Sequence, residues 1–209
     1  MSGIKDLRHS IEGKKGTRQT LQNQMEELEK THLYLEQELD HAREEQFCIQ
    51  IVAQETQEQL EYQISELVSL ALQSVFDNPY TLGVDFIIRR GQTEADLYFE
   101  RGGNKFNPLY GCGIGNVDVG ALGLRLSRWT LSRPKSRPTF LLDEPFKHIK
   151  GSKDNERALQ MIKELSHRLK IQIIMVSDER VPRETILAFA DKVFLSTQPD
   201  EVSRVEVLK

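Results

Sequence analysis

The pattern that most constrains this chain lies in its N-terminal part, where no glycine and no proline occur from Thr17 to Leu72. Apolar residues recur there in steps of three and four, the heptad spacing of a coiled coil. A helix of this length cannot bury such a stripe on itself, so we expect a coiled-coil helix over residues 17–74 that pairs with another helix. The two apolar heptad positions hold Leu21, Leu28, Leu35, Ala42 and Ile49, and Met25, Leu39, Ala53, Leu60 and Leu67.

The rest of the sequence offers no partner for this coil. Residues 1–16 are an N-terminal extension in which Gly13 and Gly16 lie close together, and we expect at most a short turn there. The coil must therefore pair with another polypeptide or with a second copy of this chain. His32 and Gln46 interrupt the apolar seam, and the seam changes phase after Leu60, which predicts a local irregularity in the coil.

Composition limits the class of protein. The chain has 209 residues, 38% hydrophobic and 29% charged, with a net charge of −4, values typical of folded rather than disordered chains. No apolar run reaches the roughly 18 residues of a membrane helix, and the N-terminus does not resemble a secretory signal. Cys48 and Cys112 lack CxxC spacing, which excludes a zinc ribbon and favours a reducing, cytoplasmic location.

Residues 75–209 alternate strand and helix patterns. Two half-buried strands with a hairpin connection come first, and two solidly apolar strands flank an amphipathic helix further on. This order predicts an α/β fold with a mainly parallel, buried sheet and flanking helices. The expected strands are 82–88, 94–100, 139–142, 171–176, 192–196 and 202–208, the expected helices are 116–131 and 154–169, and a loop is expected over 104–115.

Two adjacent acids, Asp143 and Glu144, follow the apolar strand and precede Pro145. Open α/β sheets bind ligands at the carboxyl ends of their strands. Adjacent acids at such an end point in different directions, so one can hold a hydrated Mg²⁺ while the other orients or activates water. Without further context, the same pair is also compatible with a solvated acidic turn.

A glycine-rich loop, Gly111–Asn116, leads directly into a helix. Glycines allow close approach of the backbone, and a helix N-terminus presents free N–H groups, so this loop is a candidate phosphate cradle. The helix contains Gly120 and Gly123, each about 1 kcal/mol less favourable than alanine, which predicts close packing at both positions. No GxxxxGK[ST] motif occurs in the sequence, so it carries no P-loop.

Together these motifs resemble the C-terminal lobe of SMC-like, ABC-type ATPases, in particular the DNA-repair branch of SbcC-like nuclease ATPase subunits and their phage relatives. In that family the N-terminal lobe carries the P-loop and a long coiled coil follows. The C-terminal lobe carries a signature loop, a Walker B strand, a D-loop and a switch histidine. The resemblance covers the descending coil and residues 73–209. FLLDEP at 140–145 matches Walker B, residues 113–118 fall at the signature loop, and residues 189–193 resemble a stretch near the end of such domains.

The resemblance implies that ATP and Mg²⁺ bind at an interface between subunits. Asp143 would hold the Mg²⁺, Glu144 would orient the attacking water, and His148 would approach the nucleotide. Asp178 stands where the switch histidine is usual, and Lys150 stands where the D-loop usually has an aspartate. The signature loop departs from the usual Ser-Gly-Gly, and its residues expected to contact the γ-phosphate of ATP on the opposing subunit are Gly113, Ile114, Gly115 and Asn116.

Three functions are compatible with these patterns. The first is half of an ATPase head, complemented by a P-loop-bearing lobe or second ATPase subunit and acting on DNA with a nuclease partner. The second is a non-catalytic coiled-coil scaffold built on a degenerate lobe. The third, an unrelated metal-dependent hydrolase, lacks a further carboxylate or histidine cluster. A basic cluster favours either contact with DNA phosphates or a solvated face, and consists of Arg125, Arg128, Arg133, Lys135 and Arg137.

Overall fold

The structure, a computed structural model, describes residues 2–177, 181–198, 200 and 202–209, with the side chains of residues 2 and 6 left aside. The chain forms two compact units, the first ending at Thr56 and the second spanning Gln57–Lys209. In chain order the elements are α1 (Ser2–Val75), β1 (Thr81–Arg89), β2 (Gln92–Arg101), β3 (Asn104–Phe106), α2 (Ile114–Leu131), β4 (Thr139–Asp143), α3 (Ser152–Leu169), β5 (Gln172–Val176), α4 (Arg183–Phe189), β6 (Phe194–Thr197) and β7 (Arg204–Val207).

The long N-terminal helix predicted from the heptads is confirmed, and it is longer than predicted. Helix α1 begins at Ser2, so the expectation of at most a short turn in residues 1–16 is wrong. Gly13 and Gly16 together cost the helix only about 2 kcal/mol, Gly3 lies in its first turn, and no proline stops it. Thr17 and Thr20 also donate side-chain hydrogen bonds back to the carbonyls of Gly13 and Gly16.

The seam of the first unit is exposed along its length. Leu21, Met25, Leu28, Leu35 and Leu39 are each at least half exposed, as an unpaired coiled-coil helix requires. The coil partner therefore stays a prediction. None of the described helices is both long enough and apolar enough to cross a membrane.

The last turns of α1 belong to the core of the second unit. Val68, Leu72 and Val75 are fully buried there. The close packing predicted at the two helix glycines is confirmed, because a Cβ at Gly120 would lie 2.8 Å from Phe99 and one at Gly123 would lie 3.2 Å from the Cα of Val68. These glycines let α2 lie directly against α1 and β2.

We expect Gly123→Leu to destabilise the second unit by about 3 kcal/mol, since the added side chain has no space beside the Val68 backbone. The measurement is the midpoint of thermal unfolding followed by near-UV circular dichroism. Gly16→Leu is the matched control, because a Cβ at Gly16 meets nothing within 4 Å and replacing an exposed helical glycine is stabilising. Equal midpoints for Gly123→Leu and the wild type would contradict this packing.

The strands form three small sheets. β1, β2 and β3 are antiparallel in that order, β4 pairs in parallel with β5, and β6 pairs antiparallel with β7. The α/β fold class and the hairpin are as the sequence predicted. The expected mainly parallel sheet is not found: among the described strands, β4–β5 is parallel and the other pairings are antiparallel. In further detail, the predicted loop contains β3, α2 begins at Ile114 instead of residue 116, and the short helix α4 was not predicted.

The parallel pair β4–β5 has one buried and one exposed face. Phe140, Leu142, Ile173 and Met175 face the core. The prediction that both strands are buried on both faces is wrong, because Leu141, Ile174 and Val176 are 75%, 49% and 59% exposed. We call these three residues the open β4–β5 face.

Charged side chains of α3 form ion pairs with an aspartate that follows the end of α1. Asp77 accepts hydrogen bonds from Lys153 at 2.9 Å and from Arg157 at 2.7 Å. The bond from Lys153, followed by that from Arg157, holds the pKa of the Asp77 carboxyl below its usual range. Helix α3 in turn follows the loop that carries the two adjacent acids, so these contacts help to fix the base of that loop.

Candidate functional site

The two adjacent acids lie at the carboxyl end of β4, as predicted. Asp143 is the last residue of the strand, lies opposite Val176 of β5 and is exposed. The Glu144 backbone N–H donates to the Val176 carbonyl at 3.0 Å, and Glu144 is half-buried. The parallel pairing therefore extends one residue past the strand and fixes where both acids begin.

Glu144 has an unusual backbone conformation. Its φ of 41° lies in the left-handed region, which is uncommon outside glycine, and the following Pro145 narrows its choices further. Such strain amounts to about 1–3 kcal/mol and persists only where the surroundings enforce it, commonly at functional sites. The chain then turns, with the N–H of Lys147 donating to the Glu144 carbonyl and that of Ile149 to the Phe146 carbonyl.

A crevice opens beside Glu144. It lies between this turn and the end of β5, with α3 contributing to its wall. Its lining includes Phe146, Ile149, Leu159, Met175 and Val176. Glu144 therefore lies at a crevice whose lining is largely apolar, with Lys147, Asn155 and Ser177 as its other polar members.

The glycine-rich loop forms the start of α2. Gly113 is the N-cap and has no side chain to cap the helix, while Asn116 donates its N–H to the Gly113 carbonyl at 2.9 Å. The first turn of a helix has N–H groups without helical acceptors, and its dipole favours an anion. Gly113 and Ile114 are exposed, so these groups can reach an external phosphate.

The segment before this loop is an ordered turn around Asn107. The Asn107 carbonyl accepts from the N–H groups of Tyr110 and Gly111, and its side-chain oxygen accepts from Leu109 N–H.

Partial burial raises the pKa of the Cys112 thiol, with Arg101 opposing the shift. Cys112 is therefore a poor nucleophile at neutral pH and acts as a packing residue.

The first turns of α2 lie against the segment that follows Glu144. A Cβ at Gly115 would meet the His148 carbonyl oxygen at 3.1 Å and the Cα of Ile149 at 3.3 Å. One carboxylate oxygen of Asp118 lies 3.0 Å from His148 Nδ1 and also accepts from the His148 backbone N–H at 3.3 Å. The structure thus places the start of α2 against the loop that follows the two acids.

His148 was predicted to approach a nucleotide, and its Nδ1 is already taken by Asp118. Its side chain is 38% exposed, so only Nε2 remains for another ligand. Asp118 itself was not predicted as a site residue, because its partner lies thirty positions further along the chain. The only local signal was an acid one turn into the helix that follows the glycine-rich loop.

Lys150 and Asp178 are the two further positions at which this chain departs from the family pattern. Lys150 is exposed immediately before α3. Asp178, expected at the position of the switch histidine, lies outside the described residues. In the basic cluster, Lys135 lies over the Trp129 ring and Arg133 donates to the Thr130 carbonyl, so both have intramolecular partners.

The donor chemistry at Asp143 fits Mg²⁺ bound together with a nucleotide. Within the described residues no group of three histidine, cysteine or acidic side chains forms a preassembled metal cage. Mg²⁺ commonly uses one or two carboxylates plus phosphate oxygens and water, and one exposed carboxylate at a strand end suits this mode. Asp143 would be the protein ligand there, directly or through water.

The fold is similar to that of solved structures of SMC ATPase heads. One similar structure comes from a study of ATP-driven dimerization and DNA-stimulated activation of SMC ATPases; it shares 20% identity with a TM-score of 0.55, covering 74% of this chain and 89% of that one. An Smc head domain with a coiled coil and joint from Pyrococcus yayanosii shares 21% identity with a TM-score of 0.57, covering 77% of this chain and 28% of that one.

A third structure shows an SmcHead bound to the C-winged helix domain of ScpA. It shares 20% identity with a TM-score of 0.55, covering 72% of this chain and 42% of that one. No family model and no curated protein sequence matches the chain. At these identities the similarity establishes the fold: a long helix followed by an α/β region, as in part of an SMC head domain.

Proposed function

We propose that this chain is the C-terminal lobe of an SMC-like ATPase head that binds ATP and Mg²⁺ together with a P-loop-bearing lobe. The observation that carries the proposal is the contact of the α2 N-terminus with the loop following Asp143 and Glu144. A phosphate-binding helix end and a paired carboxylate site are the two parts that phosphoryl transfer needs from this lobe.

In this proposal each residue has one task. Asp143 would hold Mg²⁺, which when bound would neutralise the negative charge that develops on the phosphate. Glu144 accepts a hydrogen bond from the attacking water and orients it. The start of α2 contacts the γ-phosphate of ATP held by the opposing subunit through Gly113, Ile114, Gly115 and Asn116. The Asn116 backbone N–H already donates to the Gly113 carbonyl, so Asn116 would contribute through its side-chain amide.

The open β4–β5 face supports the proposal that a partner lobe packs against this chain. A parallel sheet with one face of Leu141, Ile174 and Val176 in solvent is unusual, since parallel sheets are normally covered on both faces. The P-loop-bearing lobe would cover this face, whether it belongs to a longer polypeptide or to a second chain. The exposed seam of α1 would pair with a helix of the same partner.

Two departures from the family pattern, Lys150 and Asp178, concern the rate of hydrolysis, and the effect of Asp178 follows from its chemistry. An aspartate at 178 offers no proton to a γ-phosphate at neutral pH, so the contact made by a switch histidine would be missing. Loss of one transition-state contact costs about 3 kcal/mol, a hundredfold or more in rate. We therefore propose slow hydrolysis with intact nucleotide-driven closure.

The biological role we propose is DNA repair or recombination in the cytoplasm, in a phage or bacterial setting, with DNA and a nuclease subunit as partners. ATP-dependent engagement of two heads would then control access of the nuclease to DNA. This part of the proposal is supported by the sequence resemblance alone.

A non-catalytic scaffold is the second candidate. The observation that favours it is the combination of a heptad seam that is exposed along the first unit with a sequence that has no P-loop. The strained conformation of Glu144 opposes it, because a scaffold has no use for strain at an acidic residue.

Capture of the tagged chain from its native host separates the two functions. We expect a P-loop protein to co-purify in an amount that increases with ATP and Mg²⁺ and falls when ADP replaces ATP. Recovery of the chain alone as a helical dimer, with no nucleotide dependence, would favour the scaffold.

A further inference from the structure

The contact between Asp118 and His148 joins the two halves of the proposed site. Asp118 lies on α2, one turn after the glycine-rich loop, and His148 lies four residues after Glu144. The Asp118 side chain is 19% exposed and that of His148 is 38% exposed, so the pair is partly shielded from water. A hydrogen bond to a charged group is worth more there than on an open surface.

A single carboxylate oxygen makes both contacts. Asp118 Oδ2 lies 3.3 Å from the His148 backbone nitrogen and 3.0 Å from the ring Nδ1. An ionised carboxylate only accepts hydrogen bonds, so the ring must carry its proton on Nδ1. Asp118 therefore fixes the position of the backbone and the orientation and tautomer of the ring.

The backbone of the same loop is held from two further directions. Gly115 lies against the His148 carbonyl and Ile149, close enough that a Cβ would meet backbone atoms at 3.1–3.3 Å. On the α3 side, the Asn155 amide donates to the carbonyls of Ile149 and Gly151 at 3.3 and 2.8 Å. The loop is thus clamped between α2 and α3.

Glu144 is at the other end of this clamped loop. The turn from Glu144 to Ile149 is closed by two backbone hydrogen bonds, so a displacement at His148 is passed on to Glu144. Glu144 needs such restraint, because its φ of 41° is unfavourable for a residue with a side chain.

We infer that Asp118 is a positioning residue, which through His148 couples the start of α2 to the conformation of the Glu144 loop. A phosphate bound at the glycine-rich loop would then be sensed at the carboxylate that orients water. The effect on catalysis rests on the proposed function, whereas the coupling within this chain does not.

Hydrogen exchange on the full chain tests the coupling without any partner. We expect Asp118→Leu to accelerate exchange of the amides of residues 146–150 at least tenfold, with exchange in β1 and β2 unchanged. Asp118→Asn keeps an oxygen that accepts both hydrogen bonds, so it should retain most of the protection. Asp40→Leu, at an exposed aspartate of the first unit, is the control.

The ring of His148 provides a spectroscopic signature. At a pH where the imidazole is neutral, nitrogen NMR should show the Nδ1–H form in the wild type and a mixture of tautomers in Asp118→Leu. His167, on the exposed side of α3, should show no change between the two proteins. Should Asp118→Leu fail to fold, His148→Leu removes only the ring contact and should give a smaller acceleration of exchange.

The outcomes separate the two levels of the account. Unchanged exchange over 146–150 in Asp118→Leu, or in His148→Leu where the former does not fold, overturns the inference. In a complex with the P-loop lobe, Asp118→Leu should lower kcat about tenfold with little change in the KM for ATP, and Asp118→Asn should restore it. If the wild-type complex hydrolyses no ATP, the proposed function fails while the exchange result still decides the coupling.

Discussion

Replacement of Glu144 by glutamine should lower ATP hydrolysis by the complemented head at least a hundredfold. The amide keeps the size and a hydrogen-bonding oxygen but removes the charge that orients and polarises water, and such contacts are worth about 3 kcal/mol in the transition state. ATP-dependent engagement with the P-loop lobe should survive, because binding uses Asp143 and the α2 N-terminus instead. The measurement is the steady-state rate of phosphate release.

The matched control is Glu206→Gln, which makes the same chemical change on the exposed strand β7. Its rate should equal that of the wild type. A Glu144→Gln complex that hydrolyses ATP at the wild-type rate would remove Glu144 from the reaction and leave its strained backbone without a functional explanation.

The second large effect is expected at the open β4–β5 face. Leu141→Lys should abolish association with the P-loop lobe, raising the Kd at least a hundredfold, while leaving the isolated chain folded. Leu141 is 75% exposed in this chain, so the lysine remains in water until the lobe covers it. Burying the leucine is worth roughly 2 kcal/mol, and burying an unpaired ammonium there is strongly unfavourable.

Association is measured by titrating the P-loop lobe into labelled chain, and folding by the thermal midpoint. Ile88→Lys is the control, since Ile88 is 80% exposed but lies on the antiparallel sheet. An unchanged Kd for Leu141→Lys would show that the open face is not the site of lobe association.

Local sequence patterns were sufficient for most of the elements and for part of the site. Heptads predicted α1, an apolar run followed by acids predicted β4 with Asp143 and Glu144 at its end, and two glycines predicted close packing at α2. These features have short-range signals, because periodicity and glycine placement reflect which side of an element is buried.

The features that the sequence did not predict depend on residues far apart in the chain or on positions without a clear hydrophobic pattern. Asp118 and His148 lie thirty positions apart, so no periodicity joins them. The exposed side of β4–β5 also carries apolar residues, Leu141, Ile174 and Val176, and the sequence alone cannot tell a covered face from one awaiting a partner. The helix was not predicted over residues 1–16, because glycines weaken a helix without ending it.

The central claim is that this chain supplies half of an ATPase site. The most direct test is Mg²⁺-dependent ATP hydrolysis by the chain alone, by the P-loop lobe alone and by their mixture over a range of concentrations. Our account predicts hydrolysis in the mixture only, rising with the concentration of both components and lost in Glu144→Gln. No hydrolysis in a mixture that forms a stable complex with ATP, or equal hydrolysis by the lobe alone, would contradict it.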